Sequence, residues 1–130
     1  MSIEKLGVVG AGMMGSEIAL VFAMAGKSVL LADTSEEGLN AAVKKLSEVL
    51  DSGIARGFWA EEDKPLALSR ITTTTNLEDF SDREMVIEAV FEDVAIKSEV
   101  FAKLDKILPS ACIIASNTSS ISITVLSASL

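Results

Sequence analysis

Three groups of residues in this chain have the types and the spacing that chemistry would need. The first is Gly10-Ala11-Gly12-Met13-Met14-Gly15, a G-x-G-x-x-G run placed directly after an apolar stretch. The second is Glu88-Ala89-Val90-Phe91-Glu92-Asp93, with Lys97 a few positions on. The third is Ser116-Asn117-Thr118-Ser119-Ser120. Histidine and tyrosine are absent, which removes the commonest general base and the commonest phenolic proton donor.

The glycine run has the pattern that cradles a pyrophosphate. Gly10 permits a tight turn, Gly12 allows close approach of the backbone to phosphate, and Gly15 lets the following helix pack against the strand. Met13 and Met14 then open a helix whose N-terminus offers unpaired N–H groups and a positive dipole end. Such a loop expects a carboxylate about 20 residues beyond its first glycine, and Asp33 ends the second apolar run. An ionised Asp33 would accept hydrogen bonds from ribose hydroxyls and repel a 2′-phosphate. Thr34, Ser35 and Glu36 supply no cation to offset that repulsion, so the pattern favours NAD over NADP. Glycines that only shape a turn, beside an acid that only caps a strand, are the alternative. Strand, loop, helix and acid standing in register argue against it. For Lys97 and the serine cluster taken alone, a solvated helix face and an N-cap cluster are the better readings.

These groups must be positioned by alternating strands and helices. Apolar runs at Lys5–Val9, Ser28–Ala32, Ile71–Thr74, Met85–Ala89 and Cys112–Ala115 read as parallel strands, and the threonines 72–75 as a sheet edge. Helical patterns cover Met13–Ala25, with Ile18, Val21 and Phe22 as its apolar side and Gly26 as its left-handed cap. A second helix starts after Thr34-Ser35, and its apolar set, Leu39, Val43, Leu46, Val49 and Leu50, recurs at helical spacing. A turn is expected from Gly53 to Trp59, then a short helix at about Lys64–Ser69 with Asp63 as N-cap. The last helix, Val94–Leu108, presents Val100, Phe101, Leu104, Ile107 and Leu108, and Pro109 ends it. The fold expected is α/β: a Rossmann-type doubly wound parallel sheet, ending before a sixth strand, with a helical hairpin inserted between strands two and three. Residues 1–130 form one domain.

With Asp plus Glu at 19 against 11 Lys plus Arg, the formal charge is −8. That surface repels phosphate backbones and anionic lipid, so nucleic acid and membrane are not expected partners. The single cysteine, Cys112, reads as a core residue in a reducing compartment. No leader and no spanning segment are evident, and the expected location is cytoplasmic.

The glycine run, Ile87-Glu88-Ala89-Val90-Phe91-Glu92 and Ser116-Asn117-Thr118-Ser119-Ser120, in this order and spacing, resemble the 3-hydroxyacyl-CoA dehydrogenase family, including 3-hydroxybutyryl-CoA dehydrogenases. The last two motifs discriminate the family, and the match runs over essentially the whole chain. The resemblance implies hydride transfer between NAD and C3 of a 3-hydroxyacyl-CoA. It implies that Asp33 binds the adenosine ribose, that Glu92 and Lys97 lie along the cofactor, and that Lys97 is also near the acyl-CoA. Ser119 would hydrogen-bond the substrate's 3-oxygen beside the nicotinamide, and Asn117 would shape that pocket. The hairpin would lean over CoA, making Lys44, Lys45 and Arg56 candidate phosphate contacts, although a solvated helix face explains them equally well.

The family's base is a histidine after a sixth strand, oriented by a glutamate, and neither is found here. Ser119 alone is a poor base. Little or no turnover is therefore expected of these 130 residues, and a helical C-terminal domain, homodimeric in the family, would complete the enzyme. The rival reading is a free-standing NAD-binding or redox-sensing module. A third is a related dehydrogenase acting on a 3-hydroxy acid without CoA.

Overall fold

The computed structural model describes residues 3–89, 94–109 and 112–116. Its elements follow the order β1 (Lys5–Val9), α1 (Met13–Met24), β2 (Ser28–Ala32), α2 (Glu36–Ala55), α3 (Asp63–Ser69), β3 (Ile71–Thr74), a 3-10 helix (Leu77–Asp82), β4 (Met85–Glu88), α4 (Val94–Ile107) and β5 (Ile113–Ser116). The five strands pair in parallel in the order β3-β2-β1-β4-β5. The winding reverses between β1 and β4, and open α/β sheets bind ligands at such a reversal, beyond the carboxyl ends of the strands. The threonine strand β3 is at an edge, as its weak hydropathy predicts.

Period-two alternation sorts the strand residues onto two cores. Val8, Val29 and Leu31 join Ala19, Leu20, Leu39, Leu46 and Leu50 under α1, α2 and α3. Val9, Leu30 and Ala32 face the other way, with Phe80 and Leu104. Phe80 and Phe101 are each at most 2% exposed, and burying one such ring contributes roughly 1.5–3 kcal/mol. The Phe80 ring lies where a side chain would stand on Gly7, only 2.6 Å from an ideal Cβ there. Gly7 therefore admits the aromatic floor that carries the second core.

Two helices differ instructively from their sequence patterns. In α1 the face against the sheet is Gly15, Ser16, Ala19, Leu20 and Ala23, while Val21 is 65% exposed. Ile18 and Phe22 pack only at its flank. A helix that must approach the strands closely presents its small residues, so the larger apolar ones point elsewhere. In α2, Ser35 caps the start by accepting from Gly38 N–H at 3.0 Å. The helix runs on through Gly53 to Ala55, because Gly53 is buried against Trp59, whose ring would be 2.3 Å from an added Cβ. The left-handed residue is Gly57, with φ +81°. Asp63 does not cap α3; its carboxylate accepts from Ala60 N–H at 2.8 Å, closing the preceding turn. The Lys64–Asp51 ion pair then ties the two arms of the hairpin at 2.8 Å.

At the opposite end of the sheet from the glycine loop, Arg83 donates to Asp82 from two nitrogens at 2.9 Å and to the Leu6 carbonyl at 3.3 Å. The Arg83 hydrogen bonds, reinforced by its charge and by Lys5, hold the Asp82 carboxyl at about 2, below the ordinary 3.8, against an opposing push from partial burial. Stability from this pair is thus present above 3.8 and is lost as pH falls through 2. Asp82→Asn is expected to lower the melting temperature at pH 7 by about 1–5 °C, the range for a half-exposed ion pair. Melts taken at successively lower pH should show the gap to wild type closing. A gap that stays constant down to the acid limit would contradict the assignment.

Candidate functional site

A cleft of about 750 Å³ opens beyond the carboxyl ends of β1 and β2, within the ~300–1,000 Å³ typical of small-molecule sites. Gly10 to Met14 form one wall, Asp33, Thr34 and Gly38 another, and Leu77, Glu99, Val100 and Lys103 face them. The walls are assembled by backbone hydrogen bonds between neighbouring strand ends. Gly10 N–H donates to the Ala32 carbonyl at 2.7 Å and Ala89 N–H to the Val9 carbonyl at 2.8 Å. Gly10 turns the chain with a φ of 107°, a value that L side chains resist.

Asp33 stands across the loop from β2. One carboxylate oxygen accepts from Ala11 N–H at 2.8 Å, and the other accepts from Ser35 N–H at 3.3 Å and Thr34 Oγ1 at 3.4 Å. The side chain is only partly buried, and each carboxylate oxygen has two lone pairs, so acceptor capacity remains toward the cleft. Gly12 is the N-cap of α1; no side chain caps the helix there and no acid lies in its first turn. The leading N–H groups are thus left for an anion. An ideal Cβ on Gly12 would meet nothing within 4 Å, which is room a diphosphate could use. Carboxylate, uncapped helix end and open backbone fit the adenosine diphosphate half of a dinucleotide.

Met13 and Met14 are 67% and 57% exposed and line the same cleft. Lys97 lies in the first turn of α4, and Glu92, Asn117 and Ser119 lie outside the described residues. Lys44, Lys45 and Arg56 are exposed on α2 and its C-terminal cap, and none of them lines the cleft that holds Asp33. Sequence reasoning passed over Leu77, Glu99 and Lys103. Leu77 opens a 3-10 helix without an apolar repeat to announce it. Lys103 pairs with Glu99 at 3.7 Å one turn away, a spacing that looks like any solvated helix face. Glu88 is the last residue of β4, fully buried and in register between Val9 and Ser116.

Fold and cleft together define a doubly wound, nucleotide-binding domain. Comparison narrows the class: residues 5–130 match the family model described as 3-hydroxyacyl-CoA dehydrogenase, NAD binding domain. The chain belongs to that family, and NAD is its cofactor. It is 46% identical over 124 residues to a 3-hydroxybutyryl-CoA dehydrogenase of Mycobacterium tuberculosis, covering 94% of this chain and 43% of that one. Against a peroxisomal fatty acid beta-oxidation multifunctional protein of Arabidopsis thaliana, identity is 36%, covering 92% of this chain and 16% of the other. The crystal structure of Mycobacterium tuberculosis FadB2 superposes with a TM-score of 0.96 at 43% identity, over 99% of this chain and 46% of that one. The chain thus spans less than half the length of the first curated relatives it matches.

Proposed function

We propose that this chain is the cofactor-binding part of an enzyme that moves a hydride between NAD and C3 of a 3-hydroxyacyl-CoA. The observation that carries the reading is Asp33, held by Ala11 N–H at the mouth of the cleft in a chain of this family. Bound NAD would supply the hydride acceptor at its nicotinamide. The chain's own residues bind and orient: Asp33 takes the adenosine ribose, and the α1 N-terminus with Gly12 takes the diphosphate. Glu92 and Lys97 would line the path toward the nicotinamide, where Ser119 would hydrogen-bond the substrate oxygen and Asn117 would shape the pocket. Lys44, Lys45 and Arg56, exposed on α2 and its C-terminal cap, would contact the CoA phosphates.

A proton must leave the substrate hydroxyl as the hydride departs; the family resemblance implies a histidine as its acceptor, and the chain contains none. The proton acceptor is therefore assigned to another part of a longer, homodimeric protein. A cytoplasmic location belongs to this reading, and among the described residues no helix is long and apolar enough to cross a membrane. No observation favours a free-standing redox sensor over this reading.

The test pairs binding with turnover. The 130 residues should enhance NADH fluorescence saturably, yet leave NADH unoxidised with acetoacetyl-CoA. The polypeptide encoded by the complete gene should oxidise it. Absence of NADH binding would sink the cofactor assignment, and absence of turnover in the complete polypeptide would sink the substrate assignment.

A further inference from the structure

The glycine loop is gripped from behind by a residue with no part in the motif. Ser16 is only 5% exposed, on the face of α1 that meets the sheet. Its N–H makes the ordinary helical bond to the Gly12 carbonyl at 2.9 Å. Its hydroxyl reaches one residue further back, outside the helix, and donates to the Ala11 carbonyl at 3.1 Å. Helical serines usually bond carbonyls within their own helix, so this contact joins α1 to the loop. In a trans peptide the C=O and N–H point in opposite directions, and no described peptide bond is cis. Holding the Ala11 oxygen on the buried side therefore aims the Gly12 N–H the other way, toward the cleft that Gly12 lines. The preceding peptide is held as well, since Ala11 N–H donates to Asp33 at 2.8 Å.

We infer that Ser16 is a positioning residue for the dinucleotide diphosphate: by fixing the Ala11 carbonyl it presets Gly12 N–H as a phosphate donor. The inference rests on the NAD-binding assignment above. Without the hydroxyl, the Ala11–Gly12 peptide is free to rock, and any turn that brings its oxygen toward the cleft sets a negative dipole end against phosphate. Preorganisation of this kind appears as affinity. The effect should be confined to ligands that carry the diphosphate.

Ser16→Ala separates these roles. Alanine fits the space and is a better helix former than serine, so the variant should melt within a few degrees of wild type. Titrated by calorimetry, ADP-ribose should bind roughly three- to tenfold more weakly, the range expected for one hydrogen bond. Adenosine, which retains the ribose contact to Asp33 and has no phosphate, should bind as it does to wild type when followed by NMR. Unchanged ADP-ribose affinity in Ser16→Ala would overturn the inference and leave the cofactor assignment standing. Equal losses for ADP-ribose and adenosine would also overturn it, since they would mark a general distortion. A wild-type chain that binds neither ligand would overturn both.

Discussion

Gly15→Ala is expected to abolish measurable NADH binding and to lower the melting temperature by about 10 °C or more. An ideal Cβ at Gly15 falls 1.7 Å from the Gly10 carbonyl oxygen and 2.9 Å from its carbon. Both are backbone atoms, so no rotamer change relieves the clash. Either α1 must lift from the sheet or the Gly10–Ala11 peptide must turn. Lifting α1 opens the small-residue interface of Ser16, Ala19 and Ala23, all now buried. Turning the peptide swings Ala11 N–H away from Asp33, because that N–H and the Gly10 carbonyl share one rigid plane. Overpacking against rigid surroundings costs about 1–3 kcal/mol and sometimes more, and a domain has only ~5–15 kcal/mol in total. Gly12→Ala is the control. Its Cβ meets nothing in the protein, and its φ of −68° suits alanine. That variant should melt like wild type yet bind NADH at least tenfold more weakly, because the methyl occupies room at the diphosphate position. Thermal melts and NADH titrations of both variants provide the check. A Gly15→Ala chain melting within a few degrees of wild type would show that the close approach of loop and helix is not needed.

Parts of this molecule are readable from its sequence and others are not, for physical reasons. β1, β2 and β3 begin and end where their apolar runs do, because glycine and polar turn residues border each run. Gly26 does what a glycine after a helical pattern is expected to do, turning with φ +88°. Gly53 misleads because glycine has two uses. The sequence pattern suggests a breaker, but the residue is a gap in the α2 surface that receives Trp59, and only the tertiary contact distinguishes the two. Val21 misleads for the reverse reason: hydrophobicity suggests burial, whereas close helix–sheet packing selects size. The loop and Asp33 are legible together because a spacing of residues translates into adjacent strand ends. Glu99, Val100 and Lys103 come to the cleft from far along the chain, through the crossover that puts α4 beside β4, and no local pattern encodes that meeting.

Asp33 is the position from which cofactor choice should be reversible. Its carboxylate bridges two tasks, accepting Ala11 N–H at 2.8 Å from the loop and facing the cleft where the adenosine ribose would lie. Asp33→Ala removes both. Hydrogen bonds to a charged group are worth about 1.5–3 kcal/mol each, so losing even one ribose contact should weaken NADH binding roughly 10- to 140-fold, at 1.4 kcal/mol per factor of ten. Asp33→Asn divides the tasks, because an amide oxygen can still accept from Ala11 N–H while the charge is gone. Its NADH affinity should fall less, and its fold should melt close to wild type. NADPH tests the charge directly. Against wild type, a 2′-phosphate must approach a carboxylate in a protein of net charge −8, with Lys103 on the cleft wall already paired to Glu99. Removing the Asp33 charge eliminates the nearest repulsion, so the ratio of the NADPH to the NADH dissociation constant should narrow at least tenfold in both variants. If Asp33→Asn keeps the wild-type ratio, discrimination must come from the shape of the cleft at Thr34 and Gly38 instead. If the ratio narrows in Asp33→Ala alone, the carboxylate acts through the loop it holds rather than through its charge.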